Sequence, residues 1–345
     1  MKPAHVIIPT AALAAALLAA GCGGERDAVP AARAHKQAQA DLPAGRIAFR
    51  RYLDDAQTVG ALFTVNPDGT GEKQITHPTS GIDDQPDWSP DGSTIAFEHC
   101  SDDAPCSVWT VPADGSSPPA KVGVRCQLKP VCDASGPVWT PDGRLVVDLA
   151  QGREKTHGEL GQIERFSLEL IGKRGTQRTI FARDNWSGDA KEATVSPDGR
   201  TLVYMAWNSW KTKPANGTAL YSIRIDGTHN RQLTPWTLGA GDHPAFSPDR
   251  RTVFFRSFAE DESKQADYYT VDVKTRRITR LTQFEEGTTA LSGSYSPDGR
   301  WIAHGTDGLD GNADVFVMRA DGSGNRPVTR SSQWDSAPDW GPSGS

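Results

Sequence analysis

The sequence predicts an all-β protein: a six-bladed β-propeller with four antiparallel strands per blade. Three observations carry this expectation. A five-residue turn motif recurs along most of the chain, a β-rich run follows each copy, and the last copy has no strands after it with which to pair. The motif stands at Trp88-Ser89-Pro90-Asp91-Gly92, Trp139-Thr140-Pro141-Asp142-Gly143, Val195-Ser196-Pro197-Asp198-Gly199, Phe246-Ser247-Pro248-Asp249-Arg250 and Tyr295-Ser296-Pro297-Asp298-Gly299, with a degenerate sixth copy at Trp340-Gly341-Pro342-Ser343. From Ser89 onward the copies are 51, 56, 51, 49 and 45 residues apart. Propeller blades repeat at roughly 40–50 residues.

Each element follows from its residues. Pro presets φ at the first corner of the turn, Asp suits the second, and Gly accepts the positive φ that follows. Strand a therefore ends at the motif, and strand b begins after it with runs such as Thr94-Ile95-Ala96-Phe97, Thr201-Leu202-Val203-Tyr204 and Thr252-Val253-Phe254-Phe255. Strand c ends in a second turn, as in Leu62-Phe63-Thr64-Val65 before Asp68-Gly69 and Val315-Phe316-Val317-Met318 before Asp321-Gly322. Strand d is short: Gln74-Ile75-Thr76, Arg231-Gln232-Leu233-Thr234, Arg280-Leu281-Thr282. The first repeat opens directly on strand b at Arg46-Ile47-Ala48-Phe49, and the chain ends on a strand a, Ala337 to Pro342. The C-terminal strand is therefore expected to complete the N-terminal blade and close the ring.

These repeats resemble the TolB-like β-propeller family, whose blades carry Pro-x-Trp-Ser-Pro-Asp-Gly, then Ile-Ala-Phe, then an aliphatic strand ending in Asp-Gly. The resemblance covers about residues 46–342. Arg250 departs from it, standing where Gly is expected, at a cost of about 1 kcal/mol if positive φ is kept. The third repeat, Gly158 to Ala182, has lost its Asp-Gly and reads as irregular. TolB has an α/β domain ahead of its propeller and only a tether precedes it here, so this chain is not expected to be an orthologue of TolB.

Residues 1–21 read as a secretory signal, with Lys2 as the n-region charge and an apolar run from Val6 to Ala20. Leu17-Leu18-Ala19-Ala20-Gly21-Cys22 resembles a bacterial lipobox, although Ala19 stands where that family prefers Leu. The resemblance implies a diacylated Cys22, and two acyl chains suffice for stable anchoring. Residues 22–45 form the lipidated Cys and a polar tether, and 46–345 form the propeller. No later apolar run approaches the ~20 residues of a membrane span. The domain is thus expected to be exported and membrane-anchored by lipid alone, in the periplasm or at the cell surface. Four further cysteines in an oxidising compartment suggest disulfides. Of the three possible pairings, the short loops favour Cys100–Cys106 and Cys126–Cys132.

The net charge of −6 fits poorly with nucleic-acid binding. The long b–c and d–a connections, on one face, vary on a constant scaffold, which is where binding residues usually sit. They offer Trp186, Trp236, Trp334, Trp207 and Trp210, with Asp84, Asp242, His243 and Asp335 close to the starts of strands a. Aromatics ringed by carboxylates suit an envelope protein, a peptide or a cell-wall glycan. The structural alternative is that Trp186, Trp236 and Trp334 plug gaps between blades. Trp88, Trp139, Tyr295 and Trp340 are expected to pack between blades. Asp307, Asp310, Asn312 and Asp314 are oxygen-rich without EF-hand spacing, so a solvated hairpin is favoured over Ca²⁺, and no cofactor is expected.

No Gly-x-Ser-x-Gly elbow occurs. The expected function is a non-catalytic, monomeric binding module. The alternative is a metal-dependent polysaccharide lyase or other propeller hydrolase or lyase: oligogalacturonate lyases are built on related propellers and use several His around a metal. Only His243, His157 and His304 are candidates for such a role here.

Overall fold

The computed structural model describes residues 42–128, 131–155, 159–184, 190–207, 217–258, 266–308 and 311–342, with backbone alone at 153–155, 159–162, 184, 242 and 258. The expected signal segment, Cys22 and most of the tether lie outside the described residues. Among the described residues, the regular structure is strand apart from two three-residue 3-10 turns. The first repeat holds β1 (Ile47–Tyr52), β2 (Val59–Val65) and β3 (Lys73–Gln74). The second holds β4 (Gly81–Trp88), β5 (Thr94–Ser101), β6 (Ala104–Pro112) and β7 (Ala120–Lys121). The third holds β8 (Val131–Trp139), β9 (Leu145–Lys155), β10 (Glu159–Ile171) and β11 (Gln177–Asp184). The fourth holds β12 (Ala190–Val195), β13 (Thr201–Trp207), β14 (Thr218–Arg224) and β15 (Arg231–Gln232). The fifth holds β16 (Ala240–Phe246), β17 (Thr252–Phe258), β18 (Ala266–Asp272) and β19 (Ile278–Arg280). The sixth holds β20 (Thr289–Tyr295), β21 (Trp301–Asp307), β22 (Ala313–Arg319) and β23 (Arg326–Pro327), and β24 (Asp335–Trp340) follows.

Within each repeat, neighbouring strands pair antiparallel, and β24 pairs antiparallel with β1, Trp340 facing Ile47 and Asp335 facing Arg51. The sequence predicts separate four-stranded sheets. The structure instead joins the first two repeats into one eight-stranded sheet. Strand β3 covers β2 only at Phe63 and Thr64, which leaves Val59 and Gly60 open to a short parallel pairing with Gly81 and Ile82. The third repeat is irregular, as its sequence predicts, with two register shifts between β9 and β10 and one between β10 and β11, and it is also extended. Its Gly172–Gly175 turn replaces Asp-Gly, and its outer strand β11 has eight residues where the other outer strands have two or three.

The turn chemistry is as the sequence predicts. Ser89 Oγ donates to Asp91 Oδ1 at 2.7 Å and accepts from the Thr94 amide at 3.0 Å, and Ser196, Ser247 and Ser296 repeat the arrangement. Arg250 keeps the positive φ of the glycine it replaces (64°) and reaches Asp198 in the preceding repeat's turn at 2.8 Å. The Asp-Gly turns do more than reverse the chain. A Cβ on Gly69, Gly227 or Gly322 would lie no more than 2.7 Å from the carbonyl of Val328, Ile180 or Leu281 in the preceding repeat. Only glycine permits that approach together with positive φ.

The core is divided among the joints between repeats. Six apolar clusters each draw on two successive repeats, and one of them unites Phe49, Phe63 and Trp340 with Trp301, Val315 and Val317 of the sixth repeat. Trp340 is buried there, Tyr295 is buried in the cluster between the fifth and sixth repeats, and Trp88 and Trp139 are half-buried against neighbouring clusters, as expected. Each such large side chain contributes about 2–3 kcal/mol by leaving water. Antiparallel pairing sets the two ends apart. Trp88, at the end of β4, faces Ile95, and Asp83, near its start, faces His99. The Ser-Pro-Asp turns therefore lie at one end, and the long connections lie at the other. Both short-loop disulfides are present, Cys100–Cys106 and Cys126–Cys132. Among the described residues no helix is long and apolar enough to cross a membrane.

Candidate binding face

The six innermost strands, β4, β8, β12, β16, β20 and β24, share one device. Each bulges mid-strand and sends a tripeptide to a common cavity of about 100 Å³: Gln85-Pro86-Asp87, Gly136-Pro137-Val138, Glu192-Ala193-Thr194, His243-Pro244-Ala245, Ser292-Gly293-Ser294 and Ala337-Pro338-Asp339. In five of the six the first residue has positive φ, and four of those are not glycine: Gln85 (53°), Glu192 (54°), His243 (45°) and Ala337 (54°). Each such residue costs of order 1 kcal/mol, a strain that clusters at functional sites.

The bulges let side chains on one innermost strand bond the backbone of the next. Asp339 accepts from the Trp88 amide at 3.0 Å, Asp87 from Trp139 at 2.8 Å, Glu192 from His243 at 3.0 Å, and Ser294 from Trp340 at 2.7 Å. Asp148 of β9 takes the Glu192 amide at 2.6 Å, Glu98 of β5 takes that of Gly136 at 2.7 Å, and Arg256 of β17 donates to the Ala290 carbonyl at 3.2 Å.

Burial sets the electrostatics of the cavity. It pushes the carboxyls of Asp87, Asp148 and Asp339 above the usual carboxylate range, and the Asp339 charge adds to the effect on Asp87. Glu98 is pushed up to about 7, first by burial and then by the Asp84 charge. Asp87 and Asp339 retain some surface toward the cavity, but that surface is recessed from bulk water, so burial dominates.

Above this acidic interior, toward the long connections, the cavity opens into a mouth of about 170 Å³ lined by Arg50, Arg256, His243 and Trp334 among others. Arg50 is held by Asp84 and Ser336. His243 Nε2 lies 4.0 Å from Glu192 Oε1. The mouth is basic and the depth acidic.

The structure brings some predicted site residues together and separates others. Trp334, Asp84 and His243 do converge on or beside the mouth. Asp335 does not serve as an exposed ligand group: it is fully buried, bound through both oxygens by Arg51 at 2.7 Å. Trp236 is half-buried in a one-turn 3-10 helix and packs on Tyr221 at 5.7 Å between ring centres, the gap-plugging role. Trp207 ends β13, half-buried and facing Thr218. Trp186 and Trp210 lie outside the described residues, as does the side chain of Asp242. His304 is not near the axis. It is fully buried on β21 between Thr306 and Asn325, and burial pushes it down to about 4. His157 and Asp310 are outside the described residues. Asp314 accepts from Thr329 and Ser331, and Asn312 donates to Ser331.

Sequence reading missed Arg50, Arg256, Glu98 and Asp148, because they sit inside strands and meet only when six distant segments converge. It also missed His99 and Trp109. With Asp83, Phe97, Pro78 and Pro119 they line a separate cavity of about 320 Å³.

Comparison with known proteins places this fold. Residues 192–345 match the TolB beta propeller domain family. Dipeptidyl-peptidase 5 of Porphyromonas gingivalis is 24% identical over 275 residues, 70% of this chain and 39% of that protein. The chain spans less than two thirds of the length of the curated relatives it matches. TolB from Acinetobacter baumannii superposes with a TM-score of 0.64 at 17% identity, over 90% of this chain and 70% of that one. An oligogalacturonate lyase in complex with manganese does so at 0.52 and 16%, over 83% and 74%. At such identities the structures speak for the fold alone. Residues 192–345 thus carry the signature of the TolB beta propeller domain, and nine-tenths of the chain has the fold of TolB.

Proposed function

We propose that this protein is a non-catalytic binding module, a closed ring of six blades that is exported and lipid-anchored at Cys22. It receives a polypeptide or cell-wall partner of the cell envelope on the face that carries the long connections. The pairing of β24 with β1 and the apolar cluster between the sixth and first repeats support the closed ring. The basic mouth above an acidic interior, with Trp334 at its rim, is the observation that carries the binding reading. Arginine and Trp anchors beside a desolvated depression are what partner-binding hot spots are made of. Kinship with TolB makes an envelope protein the favoured partner class. The lyase reading has less support: it rests on a shared fold at 16% identity.

Photocrosslinking in cells tests the choice of face, with the reactive residue at position 334 or, at the opposite end, at position 91. A defined adduct from 334 and none from 91 is expected. A defined adduct from 91 alone overturns the face. A stoichiometric transition metal in the purified protein would favour the lyase.

A further inference from the structure

The first two repeats superpose residue for residue where strands a and b meet. Ile47 faces Trp340 as Ile95 faces Trp88, so Phe49, Arg51 and Asp335 correspond to Phe97, His99 and Asp83. The other four repeats place Ala134, Ala190, Ala240 and Ala290 where these two place Asp. The fold therefore does not require a carboxylate at that position.

In the first repeat, the space beside this carboxylate is filled from within. The Arg51 guanidinium binds both oxygens of Asp335 at 2.7 Å, reaches Glu72 at 2.6 Å, and lies 5.4 and 4.8 Å from the ring centres of Phe49 and Phe63. In the fourth repeat, Trp236 covers Tyr221, the counterpart of Phe63, and the strand-start residue is Ala190. In these two repeats an aromatic occupant stands with alanine and a guanidinium with aspartate. The second repeat has the aspartate and the aromatic pair, Phe97 and Trp109, but no arginine. His99 does not lie flat over the rings: it meets Trp109 edge-on at 6.4 Å between ring centres, and its Nδ1 stops on Asp83 at 2.7 Å. Pro119 stands where the first repeat has Glu72. The slot is left as the cavity of about 320 Å³.

We propose that this slot binds the guanidinium of an arginine side chain presented by a polypeptide partner. A planar cation stacks on the aromatic pair and donates to the Asp83 carboxylate beside His99, which already holds Oδ1. Asp83 is 4% exposed, so the carboxylate that an entering cation would meet is nearly desolvated. Lys121 Nζ already lies 5.8 Å from the Trp109 ring centre, so that ring accepts a cation. The slot is separate from the axial mouth, and its occupancy is measured without any partner protein.

Isothermal titration of the full-length protein with N-acetyl-arginine amide and with N-acetyl-citrulline amide, the uncharged isostere, tests it. Saturable one-to-one binding of the arginine compound, at least about tenfold tighter than citrulline, is expected. His99→Arg should supply the guanidinium from within, abolish binding and raise the melting temperature. Asp83→Asn, which keeps the shape, should weaken arginine about tenfold and leave citrulline unchanged. Equal affinity for the two compounds, no saturation, unaltered binding by His99→Arg, or unaltered arginine affinity in Asp83→Asn would each overturn the proposal.

Discussion

The tight turns and the surroundings of the central cavity use carboxylates in opposite ways. At the turn end, Asp91, Asp198 and Asp249 are held below the usual carboxylate range, first by the hydroxyls of Ser89, Ser196 and Ser247, and Asp91 is brought down to about 2. At the central cavity and just behind its lining, burial pushes Asp87, Asp339, Asp148 and Glu98 the other way. The chemical group is the same, and the balance decides the sign: hydrogen bonds outweigh slight burial in the turns, and burial outweighs hydrogen bonds around the cavity. The turn carboxylates work as anions that organise backbone. The cavity carboxylates are acceptors held away from water, a state that favours the neutral form and costs stability once they ionise.

The signs give a pH profile. A depressed carboxylate stabilises the fold above its unfolded value, near 4, and that contribution is lost as pH falls through its folded value. A raised carboxylate binds its proton more tightly in the folded state. Its contribution is full below the unfolded value and is lost as pH rises, for Glu98 between 4.5 and about 7. The melting temperature should therefore peak on the acid side of neutrality and fall from about pH 5 to pH 8. A profile flat over that range would show that the cavity acids are hydrated.

The largest expected effect breaks the comparison outright. Removing residues 335–345 deletes β24, with it Asp339 and Trp340, and strips β1 of its inner partner. The domain should lose its cooperative melt, and a truncated protein that melts like the full chain would disprove ring closure. Glu98→Gln sharpens the comparison. It keeps an acceptor for the Gly136 amide and removes the titration, so it should stabilise by up to about 3 kcal/mol at pH 8 and by almost nothing at pH 4.5. Denaturant melts at the two pH values measure the difference. The smallest effect is at the turn end. Arg250→Gly relieves about 1 kcal/mol of left-handed strain, less a few tenths for the exposed pair with Asp198. The result should be a rise of a few degrees or less, independent of pH in the range where Glu98→Gln is not.

Much of the architecture was legible because it is local. Ser-Pro-Asp-Gly and Asp-Gly specify their own backbone angles, so the turns, the strand order and the unpaired terminal strands could be read directly. The short-loop disulfides followed for the same reason. The strand-d threonines recurred visibly, yet their task did not show. Thr76, Thr234, Thr282 and Thr329 each accept the strand-c amide of Leu62, Leu220, Tyr268 or Val315 at 2.9–3.0 Å. The site was less legible. Asp335 reads as a ligand group until Arg51, more than 280 positions away, is seen to occupy it. Trp236 reads as an exposed anchor until Tyr221 is found beneath it.

The sequence by itself determined where the chain turns, how its strands alternate and how many repeats it holds, because those depend on residues within a few positions of one another. Only the tertiary structure decided which carboxylates are dry, which basic groups crown the axis, and which of two equivalent slots is already full. Those depend on distances between segments remote in sequence, and both Coulomb attraction and desolvation are set by such distances rather than by order along the chain.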